Sequence, residues 1–280
     1  MKDFIPHYIG VTGVQTAREI ETLVSAAAAA GIGPGQAHNL MLGALASPST
    51  VQNQPPTHTS KPYRHVPSRE DLVALLQSAQ RHNIIGMVHV ELHKTWPGTT
   101  RDGDAVIELL RYLGAHHLTP AVQLNGVLLP TDIVRIHHET GVRIVIQLRK
   151  ELEELGESQL LDYLQAVAPA VSTILMDPSA GAGTTIDLAP ALRLMRNIDQ
   201  QLPNTFHFGF AGGLGGSTEA EIKQTSYIIA ELSRAIPNGA FSVDVETKVR
   251  VPIEQPGIDR LDSALCAGYF SAVIAGRLSR

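Results

Sequence analysis

Cysteine is almost missing from this chain: Cys266 is the only one in 280 residues, so no disulfide can form within it. A basic excess is missing too. Twenty-two Lys and Arg stand against 27 Asp and Glu, a net charge of −5 with an isoelectric point near 6.2, which argues against binding a phosphate backbone and so against a nucleic-acid partner. Long apolar runs are lacking as well. The longest, Leu23 to Ile32, is mostly alanine and far short of the roughly 20 residues that cross a bilayer, so no membrane span is expected. The first residues show no basic region followed by an apolar stretch and a small-residue cleavage site, which with the single cysteine predicts a cytoplasmic protein. What is present is core-forming material: 44% hydrophobic residues against 18% charged, enough to bury a sizeable interior. At about 150 residues per domain, the length allows one large domain or two small ones.

Apolar runs of strand length recur along the whole chain, each followed by a turn signal and a segment of helical periodicity. Eight strands are predicted, at Phe4 to Val11, Asn39 to Ala46, Ile84 to Leu92, Thr119 to Asn125, Arg143 to Leu148, Val171 to Asp177, Thr205 to Ala211 and Ala240 to Val245. The helices begin near Thr16, Ser68, Asp102, Pro130, Glu157, Asp187, Ser217 and Ile258. Ser68 with Asp71 three residues on, and Ser217 with Glu219 and Glu221, read as helix starts. Eight strand-helix units over this length predict an α/β fold, a single (β/α)8 TIM barrel over residues 1–280; an open doubly wound sheet is the competitor. The Pro-containing stretch at about 47–67 joins strand 2 to helix 2 and reads as an extended flap on the loop face.

Side chains alternate between faces along a strand, and the alternation separates a lumen from a helix-facing layer. In strand 3 Val88, Val90 and Leu92 are apolar while His89, Glu91 and His93 occupy the other parity. Strand 4 sends Gln123 and Asn125 inward, strand 5 Gln147 and Arg149, strand 6 Asp177, strand 7 His207, and strand 8 Ser242, Asp244 and Glu246. Polar groups thus gather inside, toward the strand C-termini where barrel enzymes place their chemistry. His89, Gln123, Gln147 and His207 also fit a plain hydrogen-bonded core layer. For Asp177 and Glu91 a functional role is the better reading, because burying an unpaired carboxylate is costly. His89, Glu91 and His93 at period two are a candidate metal constellation, although one strand seldom supplies three ligands; Glu91 facing Arg149 is the alternative.

Glycine-rich stretches follow strands 6 and 7, Asp177-Pro-Ser-Ala-Gly-Ala-Gly183-Thr-Thr and Ala211-Gly-Gly-Leu-Gly-Gly-Ser-Thr218. Such loops let backbone N–H groups approach an anion. Taken in order, these segments resemble the phosphoribosylanthranilate isomerase family. Ile9-Gly10-Val11-Thr12 is similar to its opening Cys-Gly-x-Thr, Val122-Gln-Leu-Asn-Gly126 to Val-Gln-Leu-His-Gly, Ala211-Gly-Gly-Leu214 to its Ala-Gly-Gly-Leu phosphate loop, Asp244-Val-Glu-Thr-Lys-Val249 to Asp-Val-Ser-Ser-Gly-Val, and Tyr63-Arg64-His-Val-Pro-Ser68 to Pro-Arg-Tyr-Val-Ser.

The resemblance implies an aldose-ketose (Amadori-type) isomerisation of a phosphorylated aminosugar, as in tryptophan biosynthesis, by general acid and base, with no cofactor and no metal. It implies Asp177 as the acid, Arg64, Gln123 and Asn125 as substrate-binding residues, and Gly183, Gly212, Gly213, Thr247 and Lys248 at the phosphate. The family's base, a strand-1 cysteine, falls here on Ile9, which cannot titrate. His7, two residues earlier and so on the same strand face, and Glu91 at the mouth of strand 3 are the candidate replacements. A barrel that binds a phosphorylated ligand without turnover is the alternative reading. The alanine-rich first helix, Ala26 to Ala30, fits either a homodimer contact or packing within the monomer.

Overall fold

The computed structural model describes residues 4–54, 67–92, 100–148, 155–177, 186–236, 240–253 and 259–279. Eight parallel strands, β1 (Tyr8–Thr12), β2 (Asn39–Ala46), β3 (Ile85–Glu91), β4 (Ala121–Asn125), β5 (Ile144–Leu148), β6 (Val171–Met176), β7 (His207–Ala211) and β8 (Phe241–Val245), follow one another around a closed barrel. Closure is made by Ile9, Gly10 and Val11 of β1 pairing with Val243, Asp244 and Val245 of β8. The fold is therefore a (β/α)8 barrel, and the open-sheet alternative is excluded.

Helices alternate with the strands: α1 (Ala17–Ala29), a one-turn α2 (Pro48–Val51), α3 (Arg69–Arg81), α4 (Thr100–Ala115), α5 (Pro130–Thr140), α6 (Glu157–Val167), α7 (Leu188–Gln201), α8 (Glu219–Ala235) and α9 (Ser263–Leu278). Their starts follow local chemistry. Ser68 and Asp71 form a reciprocal capping box at α3, satisfying two donors that the first helical turn leaves open. At α8 the cap is Thr218, one residue beyond the expected Ser217.

The alternation separates two cores. Ile9, Val11, Val88, Val90, Val122, Leu124, Ile144, Ile146, Ile174, Met176, Phe208, Phe210, Val243 and Val245 face the helices in one large cluster. Ile5, Tyr8, Met41, Met87, Ala121, Val145 and Leu175 fill the N-terminal part of the lumen as a smaller one. His89, Gln123, Gln147, Asp177 and Asp244 stand above this apolar layer, toward the C-terminal mouth.

Three expectations need correction. The first strand begins at Tyr8, not Phe4, because residues 4–7 turn across the barrel floor, where Phe4 and His7 both stack on His207. The last helix begins at Ser263 rather than near residue 258, since β9 (Arg250–Pro252) and β10 (Asp259–Leu261) pair as an antiparallel ribbon before it. Within the stretch after β2, residues 48–51 are helical, held by buried Arg69, which donates to the carbonyls of Thr50 and Val51; residues 55–66 lie outside the described residues.

Candidate active site

Ladder register sets the heights of the lumen groups. His89 of β3 is level with Gln123 of β4, and Glu91 with Asn125. Asp244 of β8 is level with Gly10 of β1 on one side and Ala211 of β7 on the other. Asp177 follows Met176, whose partner across the ladder is Phe210, so one further step brings it level with Ala211. Asp177 and Asp244 thus enter the same rim from strands on either side of β7. This is the end of the barrel that the sequence reading assigned to chemistry.

Two carboxylates and their donors form the centre. The Thr12 hydroxyl donates to Asp244 Oδ2 at 2.7 Å, and His89 Nε2 lies 3.4 Å from the same hydroxyl. Gln147 Nε2 donates to Asp177 Oδ2 at 2.7 Å. Gln123 Nε2 donates to Asn125 Oδ1 at 2.6 Å. Both carboxylates are buried, yet Asp244 Oδ1 and Gln123 Oε1 have no hydrogen-bond partner among the described residues. An unsatisfied buried acceptor is costly unless a proton, water or ligand meets it. Burial pushes the Asp244 carboxyl up to about 7, opposed by the Thr12 hydrogen bond and reinforced by the charge of Asp177. Burial holds the His89 imidazole down at about 3, so it stays neutral and serves as a packing and hydrogen-bonding group.

Close approach depends on glycine at two places. A Cβ on Gly43 would sit 2.5 Å from Thr12 Oγ1 and 2.8 Å from His89 Nε2; one on Gly10 would sit 3.0 Å from Asp244 Oδ1. These strands leave out side chains where the polar groups of their neighbours converge.

The anion seat is more crowded than the sequence suggests. Gly212 and Gly213 have φ of 107° and 66°, a turn that glycine adopts without strain. Thr247 and Lys248 lie on the one-turn 3-10 segment Thr247–Val249 after β8. Lys248 Nζ, however, donates to Glu221 Oε1 at 2.6 Å. The Glu221 carboxylate also accepts from the backbone N–H and hydroxyl of Ser217. Burial raises its pKa, but the Lys248 and Ser217 hydrogen bonds outweigh that and leave it low. A built-in carboxylate therefore sits at the start of α8, the position where a bound anion profits from the helix dipole. Arg250, the next cation along the chain, is committed elsewhere: it is buried against Glu19 and Asp259 and donates to the Gly13 carbonyl.

Of the remaining sequence-derived site residues, Glu91 lies on the lumen parity at the end of β3. Arg64, Gly183, His93 and Arg149 lie outside the described residues. Among the described residues no three His, Cys, Asp or Glu side chains are grouped to hold a metal ion. His7 is at the opposite end from Asp177. Its ring stacks on His207 at 4.3 Å between centroids, on the barrel floor, and burial followed by the charges of His207 and Arg277 lowers its pKa to about 4. Ile9 faces the helices, so a two-residue step from it does not lead into the lumen. The functional residue that the sequence did not single out is Asp244, whose inward parity was visible but whose hydrogen bond from Thr12 and charge repulsion with Asp177 were not.

No family model matches the sequence, and no curated protein matches it. Solved structures do, at low identity. Phosphoribosyl anthranilate isomerase from Thermococcus kodakaraensis superposes with a TM-score of 0.52 at 16% identity over 95% of this chain and 98% of that one. Tryptophan synthase from Mycobacterium tuberculosis gives 0.55 at 13% over 97% and 92%. A beta-mannanase from Streptomyces thermolilacinus with mannohexaose gives 0.55 at 14% over 98% and 89%. This likeness is one of barrel fold, shared by proteins with different chemistries.

Proposed function

We propose that this barrel is an acid-base enzyme acting on a small phosphorylated sugar or aminosugar, and that its reaction is an aldose-ketose isomerisation. The observation that carries the proposal is the placement of Asp244: a buried carboxylate on the strand adjoining β1, level with Asp177, with one oxygen unsatisfied. It stands beside the strand on which the resemblance puts the missing base. In this reading the two carboxyls share one proton: when Asp177 holds it, Asp177 protonates the ring oxygen as the sugar opens to an iminium, and Asp244, then ionised, removes the proton from C2 to give the enolamine, which tautomerises to the ketone. A base with a pKa near 7 is suited to that step at neutral pH.

Gln123 and Asn125 then bind the body of the substrate, Glu91 flanks the mouth, and Gly212, Gly213, Thr247 and Lys248 receive the phosphate. The likeness to phosphoribosyl anthranilate isomerase supports the reading at the level of the barrel. Steady-state assay of phosphoribosylanthranilate and related aminosugar phosphates tests it. Asp244→Asn and Asp177→Asn should each lower kcat by 10²-fold or more, while Lys248→Met should act mainly on KM. A folded protein that binds these substrates without turnover would contradict the reaction and retain the ligand class.

The Glu221–Lys248 ion pair favours a second reading in one respect: a ligand with a dianionic end must share Lys248 with a carboxylate. A binding barrel for an uncharged or monoanionic sugar is the form that this reading takes. Glu221→Gln separates the two, tightening a phosphorylated ligand and leaving a neutral one unchanged.

A further inference from the structure

The opposite end of the barrel carries a cleft of about 440 Å³, set between the C-terminal ends of α3 and α4 and the N-terminal ends of β2, β3 and β5. Leu76, Ile84 and Leu118 give it an aliphatic wall, and Asn39, Gln80, Asn83, His117 and Thr119 line the rest. No Asp or Glu lines it, although the chain as a whole is acidic. The charge in it is the guanidinium of Arg143, just before β5.

Arg143 differs from the other half-buried arginines. Arg135 pairs with Asp104 and Asp132, and Arg277 lies over the Phe241 ring and donates to the Phe241 carbonyl. The Arg143 side chain makes no hydrogen bond or ion pair among the described residues. Several of the last carbonyls of the two helices are already satisfied: those of Ala79 and Gln80 accept from Ile84 and Asn83, and that of Leu113 from Leu118. Arg143 thus carries the one formal charge among the residues that line the cleft. A concave site that joins apolar walls to a few polar groups is the form that small-molecule sites take.

We propose that this cleft is a second ligand site, distinct from the C-terminal mouth, that takes a small carboxylate with a flat apolar body. The planar fork of Arg143 suits bidentate pairing with a carboxylate, and the aliphatic wall suits a ring.

2-Naphthoate and its neutral isostere 2-naphthamide are suitable probes, followed by amide chemical shifts of the full chain. The acid should bind at least tenfold tighter than the amide and shift Gly33, Gly86 and Thr119 at this end, with Gly212 and Gly213 unmoved. Arg143→Gln should weaken the acid at least tenfold and leave the amide unaffected. Gln80→Glu, an exposed change that puts a carboxylate in the lining, should do the same without touching Arg143. Equal affinity for acid and amide, shifts centred on Gly212 and Gly213, or undiminished binding by both variants would each overturn the site.

Discussion

Asp244 is where the physical chemistry of the site concentrates. Its carboxyl pKa rises from 3.8 to about 7 on folding, through burial first and the charge of Asp177 second, against the Thr12 hydrogen bond. A group with a raised folded-state pKa stabilises fully below its unfolded value, and that contribution fades as pH rises through the folded value. Folding stability contributed here therefore falls between about pH 4 and pH 7. Asp244→Asn removes the titration: at pH 8 it should stabilise the protein by about 2 kcal/mol, and at pH 3.5 it should change little, as read by urea denaturation at the two pH values. The inward parity of Asp244, like that of Gln123 and Asp177, was legible in the apolar-polar alternation of the strands. Its desolvation was not, because that depends on Thr12, Gly10 and Asp177 brought together from distant parts of the chain. His7 shows the converse. Alternation applied to β1 puts Ile9 and Val11 outward and Gly10 and Thr12 inward; only the resemblance placed Ile9 at a catalytic position, and His7 followed it.

At the scale of elements, the loops owe their placement to a few buried arginines. Arg250 binds the Gly13 carbonyl after β1, Glu19 of α1 and Asp259 of β10, and the backbone of Leu261 donates to the same Glu19. It is the rivet between the β9–β10 ribbon and the first strand-helix unit. Removing one partner of a buried charge network leaves the others uncompensated. Arg250→Met should thus destabilise the fold by about 3 kcal/mol in chemical denaturation, and a loss below 1 kcal/mol would show that the ribbon holds without it. The eight strands and most helix starts were readable from local pattern; the ribbon was not, since each of its strands is three residues long and carries no period. The capping box of α3 was readable because capping is local in sequence.

At the scale of the molecule, the barrel separates two ends with different duties. The C-terminal mouth gathers carboxylates and amides, while the floor holds the stacked rings of Phe4, His7 and His207. Among the described residues no helix is long and apolar enough to cross a membrane. His7 and His89 have folded-state pKa values of about 4 and about 3, both lowered by burial from 6.5. The unfolded chain binds these protons first, so their contribution to stability is present above pH 6.5 and is lost as pH falls below it. Two such groups outweigh the opposite trend of Asp244, and the protein should weaken between pH 6.5 and pH 4.5. His7→Phe keeps the stack on His207 and removes one proton acceptor; it should recover about 1 kcal/mol at pH 5, discounted for partial exposure, and nothing at pH 8, in paired thermal melts.

The coupled carboxylate pair is tested most directly by following the carboxyl carbon of Asp244 through a pH titration in labelled protein, with and without Asp177→Asn. The account predicts a midpoint near 7 in the parent chain and a lower one once the charge at position 177 is gone. A midpoint at the ordinary aspartate value, or one that ignores the change at 177, would contradict it.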